Sequence, residues 1–165
     1  MNKLIEHIKS VDSSVIAIET DNQQITYANL LEGIIEVKAW LARLQIKSVV
    51  SHAQNSIEWV LVDIACQSLD IILTPVPAFF SEAQFESVIS AVSPEVILSG
   101  IKTNFPNAIV CPLQNLQAFH IKESSTINAP KETSKVTFTS GSTGNPIGVC
   151  LSTNNQIKVA ESLVN

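Results

Sequence analysis

Glycine is scarce, with five in 165 residues. Basic residues are also few: ten Lys and Arg stand against fifteen Asp and Glu, a net charge of −5 with no Lys/Arg run. That balance argues against a nucleic-acid groove. No apolar run reaches the roughly 20 residues of a spanning helix, so no membrane span is expected. The opening Met1-Asn2-Lys3-Leu4-Ile5-Glu6-His7 breaks its apolar residues too early for a signal peptide. Only three cysteines occur, Cys66, Cys111 and Cys150, far apart and without metal-ligand spacing. They read as reduced thiols of a cytoplasmic protein, acting as small apolar fillers. His7, His52 and His120 are equally scattered and make no catalytic or ligand set. Disorder is excluded, because 45% of the residues are hydrophobic.

The chain is rich in short apolar segments of two alternating kinds. Residues 3–11 have the pattern of a short amphipathic helix, and Val15–Ile18 and Ile25–Tyr27 that of strands around an Asp21-Asn22 turn. Over 28–45, Leu30, Ile34, Val37, Leu41 and Leu44 recur at helical spacing. A strand at 48–51 leads to a mostly apolar helix at 56–69, and Ile71–Val76 is the continuous run of a central parallel strand. Ser81 and Gln84 form a capping box for a helix over 81–92, with Phe80 and Phe85 at the staple positions. Strands follow at 95–99 and 108–110. This alternation predicts an α/β fold: an open, mainly parallel sheet with helices on both faces. Trp40 and Trp59 are expected in the core, and Asp63 as a capped or exposed carboxylate rather than an acid catalyst.

Three parts emerge: an α/β subdomain over 1–121, a mobile polar connector over 122–135, and a strand–loop–strand–helix unit over 136–165. In the last, strands at 135–140 and 147–151 flank the loop. Thr153 and Gln156 offer a capping box for a helix from about 154, whose apolar face nothing in the chain covers. The chain reads as an N-terminal fragment of something longer.

The scarce glycines are concentrated, since Gly141, Gly144 and Gly148 share one eight-residue window. The loop Thr139-Ser140-Gly141-Ser142-Thr143-Gly144 can turn backbone N–H groups into one concavity and adds four hydroxyls. Such a nest at a strand end suits polyphosphate. It is neither a Walker loop, having no lysine, nor a nucleophile elbow. Composition alone leaves phosphate binding and an ordinary Gly/Ser hairpin loop both open.

The order of residues goes further. TFTSGSTGNPIGVCLST, residues 137–153, resembles the phosphate-loop signature of the AMP-forming adenylating enzymes, the acyl-CoA synthetase and AMP-dependent ligase family. That pattern is aromatic-Thr-Ser-Gly-[Ser/Thr]-Thr-Gly-x-Pro-Lys-Gly-Val. Phe138, Thr139, Ser140, Gly141, Ser142, Thr143, Gly144, Pro146, Gly148 and Val149 match it. ITYANLLEGI (25–34) and NSIEWVLVDIACQSLDIILTPVPAFFSEAQ (55–84) resemble upstream segments of the same family, nearest in look to long-chain fatty-acid–CoA ligases.

The resemblance implies an ATP-dependent carboxylic acid–CoA ligase, with ATP, Mg²⁺ and coenzyme A for the complete enzyme. Its partners would be a small carboxylic acid, in the nearest relatives a fatty acid, and the remainder of its own chain. Thr139, Ser140, Gly141, Ser142, Thr143 and Gly144 would hold the ATP phosphates. No catalytic residue is implied within this segment, which alone would not turn over. Two positions depart from the family: Ile147 stands where it carries lysine, and Asp70 where many members carry glycine. The first keeps open a non-catalytic relative, a structural or interaction module whose loop has degenerated.

Overall fold

The computed structural model describes residues 3–103, 105–121, 128–139 and 146–164. The chain begins with α1 (Lys3–Ser10), β1 (Ile16–Glu19), β2 (Gln24–Thr26) and α2 (Tyr27–Leu44). The alternating part follows as β3 (Ser48–Ala53), α3 (Ile57–Ser68), β4 (Ile72–Pro77), α4 (Glu82–Val92) and β5 (Val96–Ser99). Then come β6 (Ala108–Ile109), β7 (Gln117–His120), β8 (Thr133–Thr139), β9 (Ile147–Ser152) and α5 (Thr153–Val164).

The helices start where side chains can satisfy their first amide groups. Thr26 Oγ1 accepts from Asn29 N, and Ser56 Oγ accepts from Trp59 N. At α4 the box is reciprocal: Gln84 N donates to Ser81 Oγ and Ser81 N donates to Gln84 Oε1. The last helix differs from expectation. Ser152 Oγ, not Thr153, accepts from Asn155 N, while the Gln156 amide turns away to donate to Ser134 Oγ at 2.9 Å. The helix takes Thr153 as its own first residue, directly after β9, so the cap sits one position back at Ser152.

β1 and β2 make a separate antiparallel ribbon. The other seven strands form one sheet in the order β6-β7-β5-β3-β4-β8-β9. Its four central strands, β5, β3, β4 and β8, are mutually parallel; β7 and β9 run antiparallel to them, and the short edge strand β6 is antiparallel to β7. This is the expected open, mainly parallel arrangement, with a mixed margin. The strand β7 has no counterpart in the sequence reading, because Ala118 and Phe119 are too short a run to show a period. β8 begins at Thr133, inside the stretch read as connector.

Successive residues of the central strands feed two cores, as a period of two requires. Val49, Leu73, Val96 and Leu98 pack with α1, α2 and α3 on one face. Val50, Val76, Ile97 and Val136 pack with α4, Phe80 and Phe85 on the other. α2 buries Leu30, Ile34, Val37 and Leu41, the stripe read from the sequence. Trp40 joins it and donates from Nε1 to Val110 O at 2.8 Å. Trp59 is only half-buried. Cys66 is buried and Cys111 half-buried, whereas Cys150 is exposed and fills nothing. Burial, reinforced by the negative charge of Asp63, pushes the Cys66 pKa well up, so it stays an inert thiol.

Asp70, where glycine is common in the resembling family, turns into β4 with φ 54°, a left-handed conformation that glycine adopts without strain. Among the described residues no helix is long and apolar enough to cross a membrane.

Candidate functional site

Parallel strands bring their carboxyl ends to one edge of a sheet. Ala53 pairs with Pro77 and His52 with Ser99, so β3, β4 and β5 end level. Leu73 pairs with Lys135, which sets Thr139 level with Pro77 four residues on. The loop read as phosphate-binding therefore leaves the sheet at its carboxyl edge, where open α/β sheets bind ligands.

The loop is closed at its base by the β8–β9 hairpin. Thr139 is the register partner of Ile147, Phe138 of Gly148, and Thr137 of Val149. Thr139 is exposed at the end of β8. Ser140, Gly141, Ser142, Thr143 and Gly144 lie outside the described residues. Register partners share a face of the sheet. Ile147 thus projects on the same side as Thr139, at the mouth of the loop, with 62% of its surface exposed. A side chain there with a long stem and a cationic head could bend over the loop; isoleucine cannot.

Gly148 has a role that the sequence did not disclose. A Cβ at this position would lie 3.0 Å from Phe138 Cζ, 3.2 Å from Cε1 and 3.3 Å from Val136 Cγ1. The Phe138 ring lies across the glycine, which explains why an aromatic and a glycine face each other around this loop. Gly148→Val should force the ring off β9 and cost about 1–3 kcal/mol by overpacking, with Gly148→Ala milder. Urea unfolding of the two variants checks this, and equal midpoints for Val and wild type would refute the close seat.

β8 is anchored further back. Lys135 Nζ donates to Asp63 Oδ2 at 2.7 Å, with side chains 11% and 15% exposed, and lies 5.5 Å from the Trp59 ring centroid. Asp63 is therefore not an exposed carboxylate but one capped by a cation: the pair spans α3 and β8. Beside it Gln67 Nε2 donates to Gln156 Oε1 at 3.4 Å, Gln156 to Ser134 Oγ, and Ser134 to Leu151 O, tying α3, α5, β8 and β9 together. Sequence spacing could not pair Asp63 with Lys135, 72 positions apart.

His52 does not join the loop. It stands at the end of β3, two strands from β8, stacked on Phe85 with centroids 4.3 Å apart and planes 19° from parallel. Burial pushes its pKa down, so the imidazole is neutral at pH 7. Among the described residues no group of three His, Cys, Asp or Glu side chains is placed to hold a metal ion.

Residues 7–164 match the AMP-binding enzyme family. The chain belongs to this family. Comparison with curated proteins finds no match. Among solved structures, the fold of this AMP-binding chain is similar to that of o-succinylbenzoate CoA synthetase (MenE) from Bacillus subtilis in complex with the acyl-adenylate OSB-AMP. The TM-score is 0.71 at 17% identity, over 96% of this chain and 44% of that one. It is also similar to VinN in complex with L-aspartate, with TM-score 0.73, 18% identity and coverage of 99% and 50%. A third is the Klebsiella oxytoca NpsA N-terminal subdomain in complex with 3-hydroxybenzoyl-AMSN, with TM-score 0.66, 21% identity and coverage of 91% and 40%. The AMP-binding chain thus has the fold of the N-terminal subdomain of adenylate-forming enzymes and spans half or less of these chains.

Proposed function

We propose that this chain is the N-terminal part of an ATP-dependent acid–thiol ligase, adenylating a carboxylic acid before the acyl group passes to a thiol such as coenzyme A. The observation that carries the reading is the position of Thr139: exposed, at the carboxyl edge, at the start of a hydroxyl- and glycine-rich loop. In this chemistry the acid's carboxylate attacks the α-phosphate and pyrophosphate leaves. The leaving group must be held by donors that do not themselves react. Thr139, Ser140, Ser142 and Thr143 would supply hydroxyl donors and Gly141 and Gly144 backbone N–H groups, with Mg²⁺ accompanying the phosphates. Adenine, acid and thiol would be met largely by residues outside this segment, so the segment alone would not turn over. Exposed Val149, Val159 and Leu163 support this, as an apolar surface for the remainder of the enzyme to cover. The acid is proposed to be a fatty acid, from the look of residues 55–84, and the compartment the reducing cytoplasm.

The test is hydrogen exchange on the complete protein. Mg-ATP and pyrophosphate should each slow exchange over 139–148, and adenosine should not. If neither phosphate ligand protects these residues, the loop does not grip phosphate. The second reading, a non-catalytic module, then takes over. Ile147 is the observation that favours it.

A further inference from the structure

His52 is a half-buried titratable side chain with no part in the ligase reading. Its backbone is fixed from both sides. It pairs with Val76 on β4 and Ser99 on β5, and Gly100 N donates to its carbonyl at 3.0 Å. Only the ring is left to move. That ring lies on the wall of an aromatic crevice of about 560 Å³, with Phe80, Phe85, Ile101 and Phe105 around it. It stacks on Phe85, which in turn meets Phe105 at 6.0 Å between centroids. Phe85 belongs to the first turns of α4, so the stack ties the start of that helix to β3.

The stack suits a neutral imidazole. Nε2 of His52 is buried and has no hydrogen-bond partner among the described residues. A second proton would leave a charged ring with an N–H that nothing accepts, a costly state in an apolar wall. Burial accordingly pushes the His52 pKa below its ordinary 6.5. The crevice offers the alternative, because a ring turned into it faces water and the charges at the rim. Those are Glu82 on α4, which attracts an imidazolium, and Lys102 beyond β5, which repels it; both are exposed. The flanking Val76 and Ser99 are neutral, and Glu86, next to Phe85 on α4, is exposed outside the lining.

We propose that His52 is an acid-sensitive latch: neutral, it holds the start of α4 through its stack on Phe85; protonated, it leaves the stack for the crevice and that turn loosens. Linkage makes acid favour release, because the released ring takes up a proton at its ordinary 6.5 and the stacked ring only at lower pH. Above 6.5 the latch keeps its full strength. Below it, the ratio of released to stacked ring rises about tenfold per pH unit, until the stacked ring would itself protonate. A histidine with two positions of this kind is how pH sensors work. The latch is independent of the ligase reading.

The test follows the complete protein by NMR from pH 7.5 to 5.5, a range in which ordinary carboxylates stay ionised. At pH 7.5 the His52 ring protons should be shifted upfield by Phe85, and they should lose that shift as the ring titrates. Amide protection of Gln84 and Phe85, corrected for intrinsic exchange, should fall by up to about tenfold over the range. Leu41, in α2 on the other face of the sheet, should keep its protection. His52→Phe keeps an aromatic stack without a proton to gain, so its Gln84 and Phe85 should be protected equally at both ends of the range. The latch is overturned if the upfield shift survives to pH 5.5, which would mean that the Phe85 face holds the imidazolium in place. It is also overturned if protection in His52→Phe falls as it does in the wild type. The ring titration needs no variant, so it decides the matter even if His52→Phe fails to fold.

Discussion

Ile147→Lys should tighten Mg-ATP binding to the complete protein by roughly ten- to a hundredfold. The expectation follows from position and charge together. Ile147 faces the same side as Thr139 across the base of the loop and is mostly exposed, so a lysine can be accommodated without repacking. Its ammonium would add a charge-assisted contact to the phosphates, worth about 1.5–3 kcal/mol. The gain should appear for ATP and pyrophosphate, vanish for adenosine, and shrink at high salt, because an exposed charge is screened. Ile147→Gln, equally long and polar but neutral, should recover only a small part. Calorimetric titration of the three ligands decides the matter. An unchanged affinity for ATP in the lysine variant would mean that the loop no longer meets phosphate, and the structural-module reading would gain.

Breaking the Asp63–Lys135 pair should be strongly destabilising. Lys135→Met leaves the Asp63 carboxylate between α3 and β8 without its cation. Asp63 Oδ1 already has no hydrogen-bond partner among the described residues. An unpaired charge in such a place costs about 3–5 kcal/mol. That is a large share of the roughly 5–15 kcal/mol by which a domain is stable. The paired replacement Asp63→Leu with Lys135→Met should recover most of the loss, because an apolar pair has no charge to desolvate. Urea unfolding of the single and double variants checks both halves. A double variant as unstable as the single one would show that the packing against Trp59, rather than the stranded charge, carries the effect. β8 is the strand that ends at Thr139, so the single variant should also weaken the protection of 139–148 by Mg-ATP.

The long elements were legible because each announces itself locally. Leu30, Ile34, Val37 and Leu41 mark α2 by their spacing, and Ser81 with Gln84 mark the start of α4 by a bond between residues three apart. Ile71–Val76 declares a strand covered on both faces, and β4 does lie between β3 and β8. The small strand β7 was not legible. It is held by pairing with β5 and β6 alongside, and pairing of that kind leaves no period in four residues.

For the candidate site, the order of residues 137–149 already resembled the AMP-binding family, and the match over residues 7–164 bears that resemblance out. Which edge of the sheet the loop leaves, and which residue stands across its mouth, were decided by the register of β8 against β4 and β9. Gly148 and Phe138 likewise became a packed pair only across the hairpin. Asp63 and Lys135, or His52, Phe85 and Phe105, come together through strand order, and no spacing rule joins residues that far apart. The sequence by itself determined the periodic helices, the buried strands and the residue order of one family signature, since these depend on neighbours a few positions away. Tertiary structure alone decided the buried ion pair, the mouth of the loop and the aromatic crevice, because a sheet brings distant residues within bonding distance only once its strands have found their order.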